Sequence, residues 1–328
     1  MDLVTGGTGF VGSHIVRALL ERGDAVRCLV RRASRRTNLE GLDVEIAVGD
    51  LKDPPSLRDA VRGCRAVYHC GADYRLGARD PASIFASNVA GTDNLLRAAA
   101  DSAVKRVVYT SSVGALGHAS DGSPANEETP VTPDSLIGAY KQSKYEAEAV
   151  ARDWADRGLP VVIVNPSTPV GERDVKPTPT GKMILDFLNR RMPAYVDTGL
   201  NLIDVRDVAR GHLLAAERGR VGERYILGNR NMTLKEIFDA LSVLSGVPSP
   251  RWKLPHWVPI AAASLDLVIS RVRGKDPSIP LEGVRMSRQP MFFDSSRAVR
   301  ELELPQSDVL AALARAVAWF RANGYVRA

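Results

Sequence analysis

The order of apolar and helical segments predicts an α/β chain, a doubly wound parallel sheet followed by a smaller C-terminal α/β portion. Three observations carry this. Short apolar runs alternate with helical patterns from Leu3 to about Val164. The first run, Leu3-Val4, passes into spaced glycines and then at once into a helical pattern with Val11, Ile15, Val16, Leu19 and Leu20 on one side. The alternation loosens only beyond Pro166, where prolines, glycines and charges gather between Val170 and Pro179.

The turn after the first strand reads Thr5-Gly6-Gly7-Thr8-Gly9-Phe10-Val11-Gly12. It satisfies G-x-G-x-x-G through Gly7, Gly9 and Gly12, and G-x-x-G-x-x-G through Gly6, Gly9 and Gly12. Glycine has no Cβ and tolerates positive φ, so the turn can be sharp and a diphosphate can approach the backbone. The first N–H groups of the following helix are unpaired and sit at the positive end of its dipole. A match of this kind alone is weak, because glycine-rich turns without a ligand are common. With a strand before it and a helix after it, the match reads as the first βαβ unit of a Rossmann dinucleotide fold.

Composition narrows the classes. A chain of 328 residues holds one large α/β domain with an appendage, or two domains. The division expected is residues 1–168 for the dinucleotide-binding part and 169–328 mainly for substrate, with about 200–228 returning to the first. Apolar and charged contents of 45% and 25% are ordinary for a globular chain. The net charge of +6 is spread out, and no basic run interleaved with aromatics appears beyond Arg31 to Arg36, which argues against nucleic acid as a partner. Cys28, Cys64 and Cys70 lie in or beside apolar segments without C-x-x-C spacing and read as reduced core thiols of a cytoplasmic protein. No basic stretch followed by an apolar one precedes Leu3, so no secretory signal is expected. The apolar window Trp257 to Ile269 is broken by Pro259 and Asp266 and is too short to span a bilayer. It is expected to pack within the C-terminal portion, with peripheral membrane contact as the alternative.

Taken in order, Gly23 stops the first helix and Ala25 to Val30 forms strand two. Just past it, an acidic residue would bind a ribose 2′-hydroxyl and repel a 2′-phosphate. The chain has Arg31 and Arg32 there, then Ser34, Arg35 and Arg36. Guanidinium groups grip phosphate, so NADP is expected over NAD, with a solvated basic loop as the bland alternative. Strand three is Val44 to Val48, ending in Gly49-Asp50-Leu51, where Asp50 could accept from an adenine amino group. A short helix runs from about Pro55 to Val61. Strand four is Ala66 to Cys70, and its His69, with no ligand set around it, reads as packed or hydrogen-bonded; no metal is expected. Two helical pieces fill Asp80 to Ala100, with Asn88 between apolar positions and Leu95-Leu96 further on. Strand five, Val107 to Tyr109, runs into Thr110-Ser111-Ser112. Residues 113–138 then form a long loop over the site.

The next helix, from Ala139 to about Asp156, opens with Tyr140-Lys141-Gln142-Ser143-Lys144. Tyr140 and Lys144 are four apart and share a face. A phenol is a poor base at neutral pH, but a nearby ammonium and a positive nicotinamide ring stabilise its anion. Tyr140 can then move a hydroxyl proton while a hydride passes between carbon and nicotinamide, and Ser112 can orient the same substrate oxygen. There is no HExxH, no nucleophile elbow and no paired carboxylate motif to compete. Strand six is Val161 to Val164, closed by Asn165-Pro166. Later elements are helices over Gly181 to Arg191, Val205 to Ala216, Thr233 to Leu244 and Ser307 to Arg321, with strands at Asn201 to Asp204 and Arg224 to Leu227. Glu236 stands at the capping-box position relative to Thr233.

The glycine string, Ser111-Ser112 and Tyr140-x-x-x-Lys144 together resemble the extended short-chain dehydrogenase/reductases, which include sugar-nucleotide epimerases, dehydratases and dihydroflavonol reductase-like enzymes. The resemblance covers nearly the whole chain. It implies Ser112, Tyr140 and Lys144 as the catalytic trio, with Lys144 also holding the nicotinamide ribose. It implies Gly6, Gly9 and Gly12 at the diphosphate, Asp50 and Leu51 at the adenine, and Ala72 and Asn88 along the cofactor. Phe10, Val11, Thr110, Asn165 and Pro166 complete the expected lining, together with Arg31 and Arg32.

A narrower likeness is to bacterial hopanoid-associated sugar epimerases. It rests on the strings Ile163 to Pro169, Lys176 to Gly181, Met192 to Asn201 and Gly222 to Gly228. It implies a sugar-like or nucleotide-sugar substrate, a link to hopanoid lipid, and a homodimer formed by the helices after Pro81 and at Tyr140. Two departures lean toward the reductase-like branch: Arg31 replaces an acidic residue, and Ala115-Leu116-Gly117 stands where Val-Tyr-Gly is common. A non-catalytic dinucleotide sensor is the alternative of a different class. Tyr74, Arg75, Asn165, Lys176, Asn201 and Arg206 are the polar residues expected to flank the substrate.

Overall fold

The computed structural model describes all residues except 75–79, 120, 133–134, 274–280 and 327–328. The first unit is β1 (Asp2–Thr5), α1 (Phe10–Glu21) and β2 (Val26–Val30), with Gly23 at φ +85° turning the chain between helix and strand. It continues through β3 (Glu45–Val48), α2 (Pro54–Val61), β4 (Ala66–His69), α3 (Pro81–Phe85), α4 (Gly91–Asp101), β5 (Arg106–Thr110), α5 (Ala139–Asp156) and β6 (Val161–Pro166). Beyond these come β7 (Thr168–Val170), α6 (Pro179–Leu188), β8 (Ala194–Val196), β9 (Gly199–Asp204), α7 (Val205–Arg218) and β10 (Arg224–Leu227). The chain ends with β11 (Arg230–Thr233), α8 (Leu234–Ser245), β12 (Trp252–Leu254), α9 (Trp257–Arg273), α10 (Leu281–Met286), α11 (Ser296–Leu302) and α12 (Val309–Ala322).

Seven parallel strands form the main sheet in the order β10-β6-β5-β4-β1-β2-β3. This is the doubly wound Rossmann arrangement, in which the order reverses beside β1 and opens a crevice at the carboxyl ends of the strands. Successive side chains on a strand alternate faces. Leu3, Val67, Val107, Tyr109, Val161 and Ile163 therefore bury against α2, α4 and α5. Val4, Tyr68, Val108, Val162 and Val164 bury on the opposite face against α1, α7 and α11. Both faces are covered, which explains why these strands read as continuous apolar runs rather than as alternating ones.

A second sheet of three strands, β11-β9-β7, carries its own core with α6, α8 and α12, in which Phe187 and Phe238 stack at 5.5 Å. α7, β10 and α11 lie against or within the large sheet, while β9 belongs to the small one. The strands β8, β11 and β12 and the helices α10 and α11 have no counterpart in the sequence reading. Strands of three residues, or of four with a single apolar one as in Arg230-Asn231-Met232-Thr233, show no period on which to act.

The two helical pieces expected over Asp80 to Ala100 are one rod in which Ala86–Ala90 takes π geometry around Asn88. The apolar window after Trp257 is a helix with one side turned inward: Ala263 and Ser270 are buried, while Trp257 is 69% and Leu265 61% exposed. No described helix is long and apolar enough to cross a membrane.

Candidate active site

The glycine turn is built around two steric necessities. Gly6 sits at φ +70°, and a Cβ there would lie 2.8 Å from the Cys70 carbonyl carbon at the end of β4. A Cβ on Gly12 would lie 2.2 Å from the Gly6 carbonyl oxygen, so α1 can close onto the turn only through glycine. Gly9 differs: its added Cβ would stand 3.2 Å from Gly6 O, and the residue is exposed. Gly7 is buried against Cys28 and Val16, which favours the Gly6, Gly9, Gly12 reading of the motif over the one through Gly7. Gly9 caps α1 with no side-chain hydrogen bond, leaving first-turn amides available to an anion. Phe10 and Val11, in that first turn, are half-buried.

Around the turn, Arg31 and Arg32 are exposed just past β2. Asp50 keeps one carboxylate oxygen on the Lys52 amide at 2.9 Å, and the Leu51 carbonyl accepts from Asn94. Ala72 is exposed beyond the end of β4. Asn38, which sequence reasoning missed, donates to the Thr8 carbonyl at 3.2 Å and to the Arg173 carbonyl at 3.3 Å. It thereby ties the basic segment to the glycine turn and to residues beyond β7. Nothing local marks an asparagine inside such a loop as a fastener.

Ser112, Tyr140 and Lys144 converge at the carboxyl ends of β4 and β5. Tyr140 lies beside Ser112, whose Oγ accepts from the Gly114 amide at 3.0 Å. Burial raises the pKa of Tyr140 and the Ser112 side chain opposes the rise. Lys144 is 3% exposed and donates to Tyr109 Oη at 2.9 Å and to the Thr110 carbonyl at 2.6 Å. Burial pushes its ammonium down to about 8, against the carboxylate of Glu148 and the thiol of Cys70. The serine, the phenol and the ammonium thus occupy one site, in the protonated form for the phenol.

One turn beyond Lys144, Glu148 collects groups from four elements. It accepts from Ser111 Oγ at 2.6 Å, Asn165 Nδ2 at 2.9 Å, Arg152 at 2.6 Å and Arg224 at 3.1 Å. Asn88 does comparable work on the other side. Its Nδ2 donates to Ser143 Oγ and to the Asp73 carbonyl, and its Oδ1 accepts from the Asp73 amide. Ser143 in turn donates to the Tyr140 carbonyl at 2.8 Å. Asn88 therefore anchors the segment after β4 to the catalytic helix, from a π turn of the kind often found at functional sites.

Several expected positions are placed differently. Asn165 is fully buried, and its amide donates to the Ser112 carbonyl and to Glu148, so it positions the serine rather than lining the crevice. Pro166, the last residue of β6, is likewise buried and pairs in register with Leu227. The Thr110 hydroxyl lies 3.0 Å from Cys70 Sγ and 2.9 Å from His212 Nε2, and its carbonyl holds Lys144, so its polar atoms are spent inside the protein. Asn201 is fully buried in β9, donating to Asn231 and to the Phe293 carbonyl, which removes it from the substrate set. Arg206 is exposed and paired with Glu172 at 2.8 Å. Lys176 Nζ stands 5.5 Å from the Tyr74 ring centroid, so these two are brought together. Arg75 lies outside the described residues. His69 is held between Thr5 and Thr92 hydroxyls and is pushed down to about 3 by burial and the charge of Lys144, which makes it neutral.

A glycine cradle with open helix amides, set beside a serine, a tyrosine and a lysine at a topological switch point, defines a dinucleotide-dependent oxidoreductase of the extended short-chain dehydrogenase/reductase class. The chain belongs to the NAD dependent epimerase/dehydratase family, whose model matches residues 3–228. It is 51% identical over 328 residues to a Synechocystis sp. protein bearing the provisional name dihydroflavonol 4-reductase, covering 99% of this chain and 95% of the relative. It is 39% identical to sterol demethylase protein B of Methylococcus capsulatus, over 99% of both chains. A crystal structure of a nucleoside-diphosphate-sugar epimerase from Pseudomonas aeruginosa superposes with a TM-score of 0.83 at 30% identity, again over 99% of both.

Proposed function

We propose that this enzyme uses NADP(H) to interconvert a ketone and a secondary alcohol, with net reduction as its direction. The observation that carries the reading is Tyr140, set beside Ser112 on the helix that bears buried Lys144. Gly6 and Gly12 fit a dinucleotide because any side chain there would fill the turn that brings the α1 amides forward. Ser167 Oγ, just past the carboxyl end of β6, is buried and lacks a partner among the described residues, so it can satisfy an amide hydrogen of a ligand. Arg31 and Arg32, exposed and without an acidic neighbour in sequence, suit a 2′-phosphate.

When bound, the nicotinamide supplies or accepts the hydride. Ser112 orients the carbonyl oxygen, and Tyr140 gives it a proton. A phenol whose pKa burial has raised is fully protonated at neutral pH, the form a proton donor requires. In the oxidative direction the phenol must act as a base, and the charge of Lys144, one turn further along the same helix, would stabilise its anion. The names of the relatives, a dihydroflavonol reductase and a sterol demethylase component, support a bulky cyclic ketone as substrate.

A second reading is favoured by the likeness to the nucleoside-diphosphate-sugar epimerase and by the resemblance of four strings to hopanoid-associated epimerases. There the substrate is a sugar-like alcohol in hopanoid lipid synthesis, and the cofactor is retained. Identifying by mass the cofactor released from purified protein tests both. A site that exchanges NADPH freely and oxidises it with ketones supports reduction. Tightly held cofactor with no net oxidation supports epimerisation. A homodimer formed through α5 and the helix after Pro81 is part of the same proposal, and Tyr145, 43% exposed on α5, would be covered by it.

A further inference from the structure

Lys141 follows Tyr140 directly and is 3% exposed. Burial alone sets the direction of its pKa shift, downward, and no carboxylate or hydrogen-bond acceptor among the described residues meets its ammonium. Its neighbours on α5 are treated otherwise. Lys144 has Tyr109 and the Thr110 carbonyl, and Glu148 has two arginines, a serine and an asparagine. Burying a charge without a partner costs several kcal/mol, and such a cost persists where a ligand supplies the partner.

The course of the side chain says where that ligand would lie. A Cβ built on Gly114 would stand 3.4 Å from Lys141 Cγ, 3.8 Å from Lys141 Cε and 3.3 Å from Ser112 Oγ. The lysine stem and the catalytic serine therefore flank the same backbone atom, and a side chain at 114 would crowd both. Four residues further along this loop, His118 is half-buried, and its pKa is lowered by burial and by the charge of Lys141. The Lys141 charge thus acts on a second basic side chain of the loop that follows Ser112.

We propose that Lys141 and His118 form a subsite for an anionic substituent of the substrate, a carboxylate or a phosphate, carried close to the carbonyl that Ser112 and Tyr140 hold. The assignment rests on the hydride-transfer reading for its substrate, but not for its anion binding. Two probe pairs separate the sources of charge: benzoylformate against its ethyl ester, and dihydroxyacetone phosphate against dihydroxyacetone. The ratio of kcat/KM for the charged over the neutral member should fall by roughly tenfold to a hundredfold in Lys141→Met, the worth of a hydrogen bond to a charged group. Lys141→Arg should keep part of the preference. Lys235→Met, which removes a surface charge paired with Asp239 on α8, should leave the ratio as it is. The pair that responds identifies carboxylate or phosphate, and a ratio unmoved by Lys141→Met overturns the proposal.

If the wild-type chain reduces none of the four probes, calorimetric binding of benzoylformate and dihydroxyacetone phosphate to the NADP⁺-loaded protein decides. Binding that is lost in Lys141→Met upholds the subsite while the reductase reading fails. Binding equal in both proteins, or absent from the wild type, overturns the subsite.

Discussion

Tyr140 and Lys144 are one turn apart, and burial drives their acidities in opposite directions, the phenol up and the ammonium down to about 8. Replacing Tyr140 by Phe should lower kcat by about 10² to 10⁴ while leaving the Kd for NADP(H) nearly unchanged, since proton transfer is worth that much and the ring still packs. Fluorescence titration alongside steady-state rates separates the two quantities. Because the folded pKa of Lys144 is depressed, its charge is present below about 8 and is lost as pH rises through that value. The rate in the oxidative direction should therefore decline on the alkaline side. Glu148→Gln removes the carboxylate that holds the lysine charged, and the alkaline limb should move to lower pH. Converting Arg31 and Arg32 together to Ala should weaken NADPH roughly tenfold to a hundredfold and leave NADH almost unaltered, the ratio of the two Kd values being the test.

At the scale of elements, the β1–turn–α1 unit distinguishes its glycines by what surrounds them. Gly12→Ala puts a Cβ 2.2 Å from a backbone oxygen that cannot move without dislodging β1, so it should cost about 1–3 kcal/mol and lower the urea midpoint. Gly9→Ala meets only the looser 3.2 Å contact at an ordinary φ and should spare stability more than it spares cofactor affinity. A Gly12→Ala protein with an unchanged midpoint would mean that α1 can shift freely. The helix from Ala139 to Asp156 and the box formed by Thr233 and Glu236 were legible in sequence because both are local patterns, the first a period and the second an i to i+3 exchange of hydrogen bonds. The π turn at Asn88 was not, because its cause is the demand of Asp73 and Ser143 for the asparagine side chain.

At the scale of the whole molecule, the two sheets are joined through a charged junction behind the glycine turn. His14 on α1 lies 3.6 Å from Glu172, which also pairs with Arg206 of α7 and with Arg315 of α12, and Arg315 bonds Asp204 at the end of β9. Burial pushes the Glu172 carboxyl up, but His14 and Arg206 outweigh it and hold the group well below the usual carboxylate range. A depressed carboxylate contributes stability above its unfolded pKa, and that contribution is lost as pH falls through the folded value. Stability should thus drop in strong acid, and Glu172→Gln should flatten that part of the pH–stability curve. Arg315→Met leaves Asp204 and Glu172 short of a cation. Its cost should be roughly 3 kcal/mol or less, discounted because Arg315 is 29% exposed, and would be read from the urea midpoint.

By itself, the order of residues determined the parallel sheet, the glycine cradle, the basic segment past β2 and the placing of Tyr140 and Lys144 one turn apart on a single helix. Each is a matter of spacing within about one element, where period, turn chemistry and helix geometry act directly. Tertiary structure alone decided that Asn165 turns inward to the Ser112 carbonyl, that Glu148 gathers Ser111, Asn165 and Arg224, and that Lys141 is buried without a partner among the described residues. Those partners come from β5, β6 and β10, up to 76 residues away in the chain. Contacts at such separations are chosen by how the strands are ordered in the sheet, which no local pattern around Glu148 or Lys141 records.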